Sequence, residues 1–216
     1  MLFNAVLFDW DGTLYNSGPA TYEIYRDIFK EKNLGVLELE EFRREYSANY
    51  HSYYEKHNVS KELWKELDEE WVERFIARET EMDLFGCAKE VLLKLKAKGI
   101  RVGIVSNGQR KRLEHQLNKY GIMKFFDVVV GVDDEGAEFK PAPGSLITAM
   151  KKLGLNGENC SSALHIGDMV EDVEAGKRAG MQTAAVLSGV HGVQKLKSLE
   201  PDYLMEDVCG LLELIE

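Results

Sequence analysis

The stretch Asn4-Ala5-Val6-Leu7-Phe8-Asp9-Trp10-Asp11-Gly12-Thr13-Leu14 decides the fold. Asn4 to Phe8 is a run of strand formers with the apolar continuity of a strand buried on both faces. It stops abruptly at two aspartates and a glycine. Side chains alternate along an extended chain, so Asp9 and Asp11 are expected on the same side. Two carboxylates that close repel, and a cation offsets the repulsion most simply. Oxygen ligands from few side chains suit Mg²⁺, which keeps several waters and shares phosphate oxygens. Gly12 lets the backbone turn sharply and approach a ligand.

Working outward, the chain from about Phe85 alternates between two patterns. Helix-like spacing over Ala88 to Lys98, Arg110 to Tyr120, Gly144 to Leu153 and Val170 to Ala179 is interleaved with strand-like runs. The runs are Arg101 to Val105, Phe125 to Val130, Ser162 to Ile166 and Thr183 to Leu187. Asp202 to Met205 and a helix over Val208 to Ile215 close the chain. Such alternation implies an α/β fold with a parallel sheet covered on both faces.

Residues 17–79 interrupt that scheme. They hold 11 of the 21 aromatic residues, so this stretch has apolar surface of its own to bury. Tyr22, Tyr25 and Phe29 mark one face of a helix starting near Ser17 or Pro19. Phe42, Tyr46, Tyr50 and Tyr53 suggest a second helix over about Glu38 to Lys56. Leu63, Leu67, Trp71 and Phe75 predict the buried stripe of a third, with Ser60 as its N-cap. The expected layout is a β/α core of residues 1–16 and 80–216, with a helical insertion at 17–79.

The 216 residues carry 27 Lys plus Arg against 37 Asp plus Glu, a net charge of −10. That balance argues against nucleic acid and anionic membranes as partners, because both need clustered Lys and Arg. Cys87, Cys160 and Cys209 are odd in number, widely spaced and form no C-x-x-C pair. We therefore expect neither a disulfide framework nor a structural zinc site, and read the protein as cytoplasmic. The opening run from Met1 to Phe8 is too short for a signal peptide and has no basic residues before it.

In a parallel sheet, ligands gather at the carboxyl ends of the strands. Three strand ends carry polar residues that fit this rule. The first is Asp9 to Leu14. The second is Ser106-Asn107-Gly108, whose hydroxyl and amide are either ordinary turn chemistry or phosphate ligands. The third is Gly167-Asp168, followed by Asp172, which would cap a helix or complete a metal site. Lys140, before Pro141, is a surface charge taken alone. Beside several carboxylates it would be a buried counter-charge and a phosphate ligand.

Together, Asp9-x-Asp11-Gly12-Thr13-Leu14, Ser106-Asn107, Lys140-Pro141 and Gly167-Asp168-x-x-x-Asp172 resemble the four-motif signature of the haloacid dehalogenase superfamily. The insertion resembles that superfamily's small helical cap, and the whole chain looks like its phosphoglycolate phosphatase-like members. The resemblance implies a Rossmann-like core of five parallel strands in the order 5-4-1-2-3. That order would bring Asp9, Ser106 and Asp168 together.

The resemblance also implies roles. Asp9 would be the nucleophile that forms an aspartyl-phosphate, and Asp11 the general acid and base. Thr13, Ser106, Asn107 and Lys140 would bind the phosphoryl group. Mg²⁺ would be held by Asp9, Asp11 through its carbonyl, Asp168 and Asp172. The implied substrate is a small phosphorylated metabolite, such as phosphoglycolate or a sugar phosphate, handled by a monomer or homodimer. Other readings are a phosphomutase of the β-phosphoglucomutase type, a haloacid dehalogenase, a phosphonatase or a non-catalytic phosphate-binding module. Asp11 argues against the dehalogenase, and the intact Asp9 and Asp11 argue against the inert module. A phosphonatase would need a cap lysine, for which Lys30 and Lys32 are the candidates. Tyr15, Asn16 and Ser17 are candidate hinge residues. Tyr15, Tyr50, Tyr53 and Tyr54 are expected at the substrate, and His51 and His57 at the surface. Gln109-Arg110-Lys111-Arg112 reads as a solvated helix start that could add positive potential near the phosphate.

Overall fold

The computed structural model describes residues 3–155 and 157–216. Met1 and Leu2 of the opening apolar run lie outside the described residues. Six strands form one parallel sheet: β1 (Ala5–Phe8), β2 (Arg101–Val105), β3 (Val128–Val130), β4 (Ala163–Gly167), β5 (Gln182–Val186) and β6 (Tyr203–Met205). Their order is β3-β2-β1-β4-β5-β6. The expected five-strand order is present, and a sixth strand extends it. Tyr203 to Met205 pairs with Ala184 to Val186, which leaves β6 rather than β5 at that edge.

All four residues of β1 are fully buried, as the unbroken apolar run requires. β1 lies between β2 and β4, with Phe8 opposite Ile104 on one side and Ile166 on the other. The strand ends at Asp9, Ser106 and Asp168 are therefore neighbours. Gly103 is needed within β2, because a Cβ there would lie 2.6 Å from Leu7 and 2.7 Å from Val128.

Four helices fall within residues 17–79: α1 (Gly18–Glu31), α2 (Leu39–Glu45), α3 (Tyr50–Lys56) and α4 (Lys61–Ala77). The single helix expected over Glu38 to Lys56 is thus two. The break at Tyr46 to Asn49 is held by residues distant in sequence, among them His191 and Lys195 on the Tyr46 carbonyl. The carboxylate of Glu171 accepts from Ser47 Oγ at 2.8 Å and from the Ala48 backbone N–H at 3.0 Å. The aromatic packing continues across the break, with Phe42 and Tyr53 ring centroids 5.6 Å apart. Ser60 does stand at the N-cap of α4, but its hydroxyl bonds to Glu62 and makes no backbone cap.

The remaining helices are α5 (Ala88–Ala97), α6 (Arg110–Lys119), α7 (Gly144–Lys152), α8 (Val170–Arg178), α9 (Val193–Lys197) and α10 (Leu211–Leu214). No helix of the described residues is long and apolar enough to cross a membrane.

The cysteine expectation fails. Cys87 and Cys209 form a disulfide with Cα atoms 5.5 Å apart, and Cys160 is free. The fold brings together residues 122 positions apart, which spacing in the sequence does not reveal. The bond also removes the cysteine argument for a reducing compartment.

Candidate active site

Asp9 follows the last residue of β1 and is 7% exposed. Its Oδ1 accepts from Lys140 Nζ at 2.6 Å. The same ammonium donates to Asp172 Oδ1 at 2.5 Å and to the Val105 carbonyl at 3.1 Å. An ammonium has three N–H groups, and all three are spent on protein. Lys140 is therefore the buried counter-charge, as its place near carboxylates suggested. No N–H group of the ammonium is left over for a further partner.

Asp168, at the end of β4, is 1% exposed. Its Oδ2 accepts from the Val190 N–H at 2.8 Å, whereas its Oδ1 is buried without a hydrogen-bond partner. A carboxylate oxygen from each of Asp9, Asp168 and Asp172 fits within 4.8 Å of the others. Two glycines make room for this cluster. A Cβ on Gly12, whose φ is +77°, would lie 2.6 Å from Asp168 Oδ2, and one on Gly189 would lie 1.9 Å away. Asp172 stands in the first turn of α8, where its Oδ2 accepts from the Met169 N–H at 3.0 Å. It thus caps its helix and joins the carboxylate cluster at once.

The electrostatics reflect this crowding. Burial, with Asp172 and Asp11 adding to it, pushes Asp9 up to about 7 despite the opposing pull of Lys140. Burial, with Asp172 and Asp9 adding to it, holds Asp168 well above the usual carboxylate value. Asp172 goes the other way: burial would raise it, but Lys140 and His165 outweigh burial and hold it below that value. Burial would lower Lys140, and the carboxylates of Asp172 and Asp9 keep it above the ordinary lysine value instead. Oxygen-only donors with one orphaned carboxylate oxygen fit a small hard cation such as Mg²⁺.

Asp11 leaves this cluster. Its carboxylate is gripped by Arg112, with Nη2 to Oδ2 at 2.6 Å and Nη1 to Oδ1 at 3.3 Å, and accepts from Ser17 Oγ at 3.1 Å. Arg112 also reaches Gln116 Oε1 at 3.4 Å, and that oxygen is fixed by Trp10 Nε1 at 2.8 Å. Asp9 and Asp11 do line one cavity, but their carboxylates serve different partners. Arg112 is thus part of the site, and the solvated helix start describes Arg110 and Lys111 better.

The cavity measures about 490 Å³ and is lined at its floor by Asp9, Asp11, Ser106, Asn107, Lys140 and Asp172. Ser106 Oγ accepts from the Gly108 N–H at 3.0 Å, and Asn107 Oδ1 from the Lys140 N–H at 2.9 Å. Thr13 is fully buried with its hydroxyl unpartnered, and it does not line the cavity.

The tyrosines divide. Tyr50 lines the cavity. Tyr53 and Tyr54 are buried in the aromatic core of the insertion, and Tyr15 is fully buried against Trp10, their rings 5.2 Å apart. The sequence reading missed Tyr25, Tyr46, Trp71 and Phe75, which do line the cavity. Their helical spacing marked them as apolar, but the same spacing serves packing and binding alike. Lys32 pairs with Glu66 at 2.5 Å and Glu70 at 3.2 Å, and neither it nor Lys30 lines the cavity. His51 is half-buried, hydrogen-bonded to Asp68 Oδ2 at 3.0 Å.

Residues 6–186 match the model of the haloacid dehalogenase-like hydrolase family. The chain belongs to that family, and it is one of the family's phosphatases. It is 30% identical to pyrophosphatase PpaX of Oceanobacillus iheyensis over 100% of this chain and 98% of the relative. It is 33% identical to the phosphoglycolate phosphatase of Aquifex aeolicus over 98% and 96% of the two chains. Among solved structures, a putative phosphoglycolate phosphatase from Lactobacillus plantarum shares the fold with a TM-score of 0.83 at 22% identity. That match covers 99% of this chain and all of the other.

Proposed function

We propose that this chain is a Mg²⁺-dependent phosphatase that hydrolyses a small organic phosphate monoester through an aspartyl-phosphate on Asp9. One observation carries the reading. Asp9 is buried beside Lys140, faces a cavity, and can bring a carboxylate oxygen within 4.8 Å of one each from Asp168 and Asp172. A carboxylate fixed in that way is positioned for in-line attack on phosphorus.

Asp9, Asp168 and Asp172 would hold Mg²⁺, with the Asp11 carbonyl, and the ion would supply positive charge to the phosphoryl oxygens. Asp9 attacks phosphorus, and the bond to the leaving oxygen breaks. Asp11 gives that oxygen a proton and later takes one from the water that cleaves the aspartyl-phosphate. Ser106 and Asn107 orient the phosphoryl oxygens from the floor. Lys140 holds Asp9 in place and offsets the carboxylates' charge. Residues 17–79 act as a cap over the core of 1–16 and 80–216, excluding water during the reaction.

The test is Asp9→Asn, which keeps shape and hydrogen-bonding capacity while removing the nucleophile. Circular dichroism should show a folded protein, and phosphate release from an aryl phosphate with Mg²⁺ should vanish. Turnover at the wild-type rate would sink the assignment.

A further inference from the structure

The cavity has two unlike walls. The floor is charged and the roof, Asp68 apart, is apolar. The roof is one face of α4, where Asp68, Trp71, Val72, Phe75 and Ile76 recur at spacings of three and four. Trp71 and Phe75 stack with ring centroids 4.8 Å apart. Beside them Val72 is 50% exposed and Ile76 66% exposed. Phe139 faces the same cavity from the core side and is 56% exposed. Three large apolar side chains left uncovered at one cavity are surface waiting for an apolar group.

The charges point the same way. Among the described residues, no Lys or Arg of residues 17–79 lines the cavity. Asp68, the one charged residue of the roof, meets His51 through Oδ2, and its Oδ1 is buried without a hydrogen-bond partner. On the floor, Lys140 has spent its three N–H groups on protein, and Arg112 turns three of its five N–H groups to Asp11 and Gln116. A carboxylate or second phosphoryl group placed against this roof would lose its hydration without gaining a cation. The volume, about 490 Å³, suits pockets that enclose a drug-sized molecule, well beyond a two-carbon acid.

We infer that the alcohol released by this enzyme is uncharged and apolar, an aryl or arylalkyl alcohol lying against Trp71, Val72, Phe75 and Ile76. The inference rests on the phosphatase reading above and adds the substrate class to it. It separates this chain from relatives whose names specify phosphoglycolate or pyrophosphate.

The experiment compares kcat/KM with Mg²⁺ for 2-phenylethyl phosphate, glycerol 1-phosphate, phosphoglycolate and pyrophosphate. The phenylethyl ester should exceed phosphoglycolate and pyrophosphate by about tenfold or more. The double variant Val72→Ser, Ile76→Ser alters two exposed side chains and should still fold. It should pull the phenylethyl to glycerol ratio of kcat/KM toward one, chiefly through KM. Preference for either anionic compound, or a ratio unmoved by the double variant, would overturn the inference. Hydrolysis of none of the four would instead fail the phosphatase reading. The inference is then decided by calorimetric titration of the Asp9→Asn protein with the same compounds, where tighter binding of phosphoglycolate than of the phenylethyl ester overturns it.

Discussion

Replacing Lys140 with Met keeps the aliphatic stem and removes the charge. Lys140 is 4% exposed and lies 2.6 Å from Asp9 and 2.5 Å from Asp172. At an effective dielectric near 20, each contact is worth roughly 6 kcal/mol of Coulomb attraction. The desolvation of the ammonium, several kcal/mol, cancels much of that. Breaking a buried pair from one side typically costs about 3–5 kcal/mol, because the stranded charge stays buried. For a chain of this size that is a fall in Tm of roughly 6–20 °C.

The loss should depend on pH with a definite sign. Asp9 already sits near 7 in the folded protein, above its ordinary 3.8. A raised carboxyl stabilises the fold at low pH, and that contribution is lost as pH rises through the folded value. Removing Lys140 raises Asp9 further and deprives Asp172 of the cation that holds it down. Both carboxyls can then take up protons in acid, so the gap to wild type should be wide at pH 8 and narrow at pH 5. Calorimetric melting of metal-free protein at the two pH values measures it. A variant melting within about 2 °C of wild type at pH 8 would refute the assignment of Lys140 as the counter-charge.

Other expected outcomes follow from the same geometry. Mg²⁺ must displace protons from Asp9 and Asp168, so it should raise Tm more at pH 8 than at pH 5, and a larger rise at pH 5 would contradict the cluster. Arg112→Met frees the Asp11 carboxylate, and kcat should drop by roughly 10–100-fold with KM little changed, as expected when acid–base catalysis loses its positioned group. Steady-state kinetics on an alkyl phosphate decides that point, and an unchanged kcat counts against it. Reducing Cys87–Cys209 releases a link across 122 residues, so dithiothreitol should lower Tm by an amount corresponding to about 2–5 kcal/mol. Identical melting with and without reductant would show that the bond adds no stability.

The strand-end residues were legible because each is local. An apolar run that stops at Asp9 is visible within ten residues, and β2 occupies the range its sequence suggests. The resemblance supplied the strand order that makes Asp9, Ser106 and Asp168 neighbours. What stayed hidden depends on contacts distant in sequence. Arg112 and Asp11 are 101 residues apart, and Glu171 bonds to Ser47, at the break in the helical run, from 124 residues away. Periodicity reports which side chains are apolar, but it does not say which of them meet a cavity. Tyr53 and Tyr50 share a helix and part company on that question.

The Cys87–Cys209 bond divides the chain into a closed ring, an open amino-terminal arm and a tail of residues 210–216. Ser106, Asn107, Lys140, Asp168 and Asp172 belong to the ring. Asp9, Asp11 and all of α1 to α4 belong to the arm. Yet β1, the arm's only strand among the described residues, is slotted between two strands of the ring, β2 and β4. Covalent closure therefore limits how far the ring strands can separate, while the strand leading to Asp9 is kept at the sheet's centre by non-covalent contacts. A single protease cut inside the ring would leave two pieces tethered on a non-reducing gel. A cut in α1 to α4 would release the Asp9 end as a free fragment.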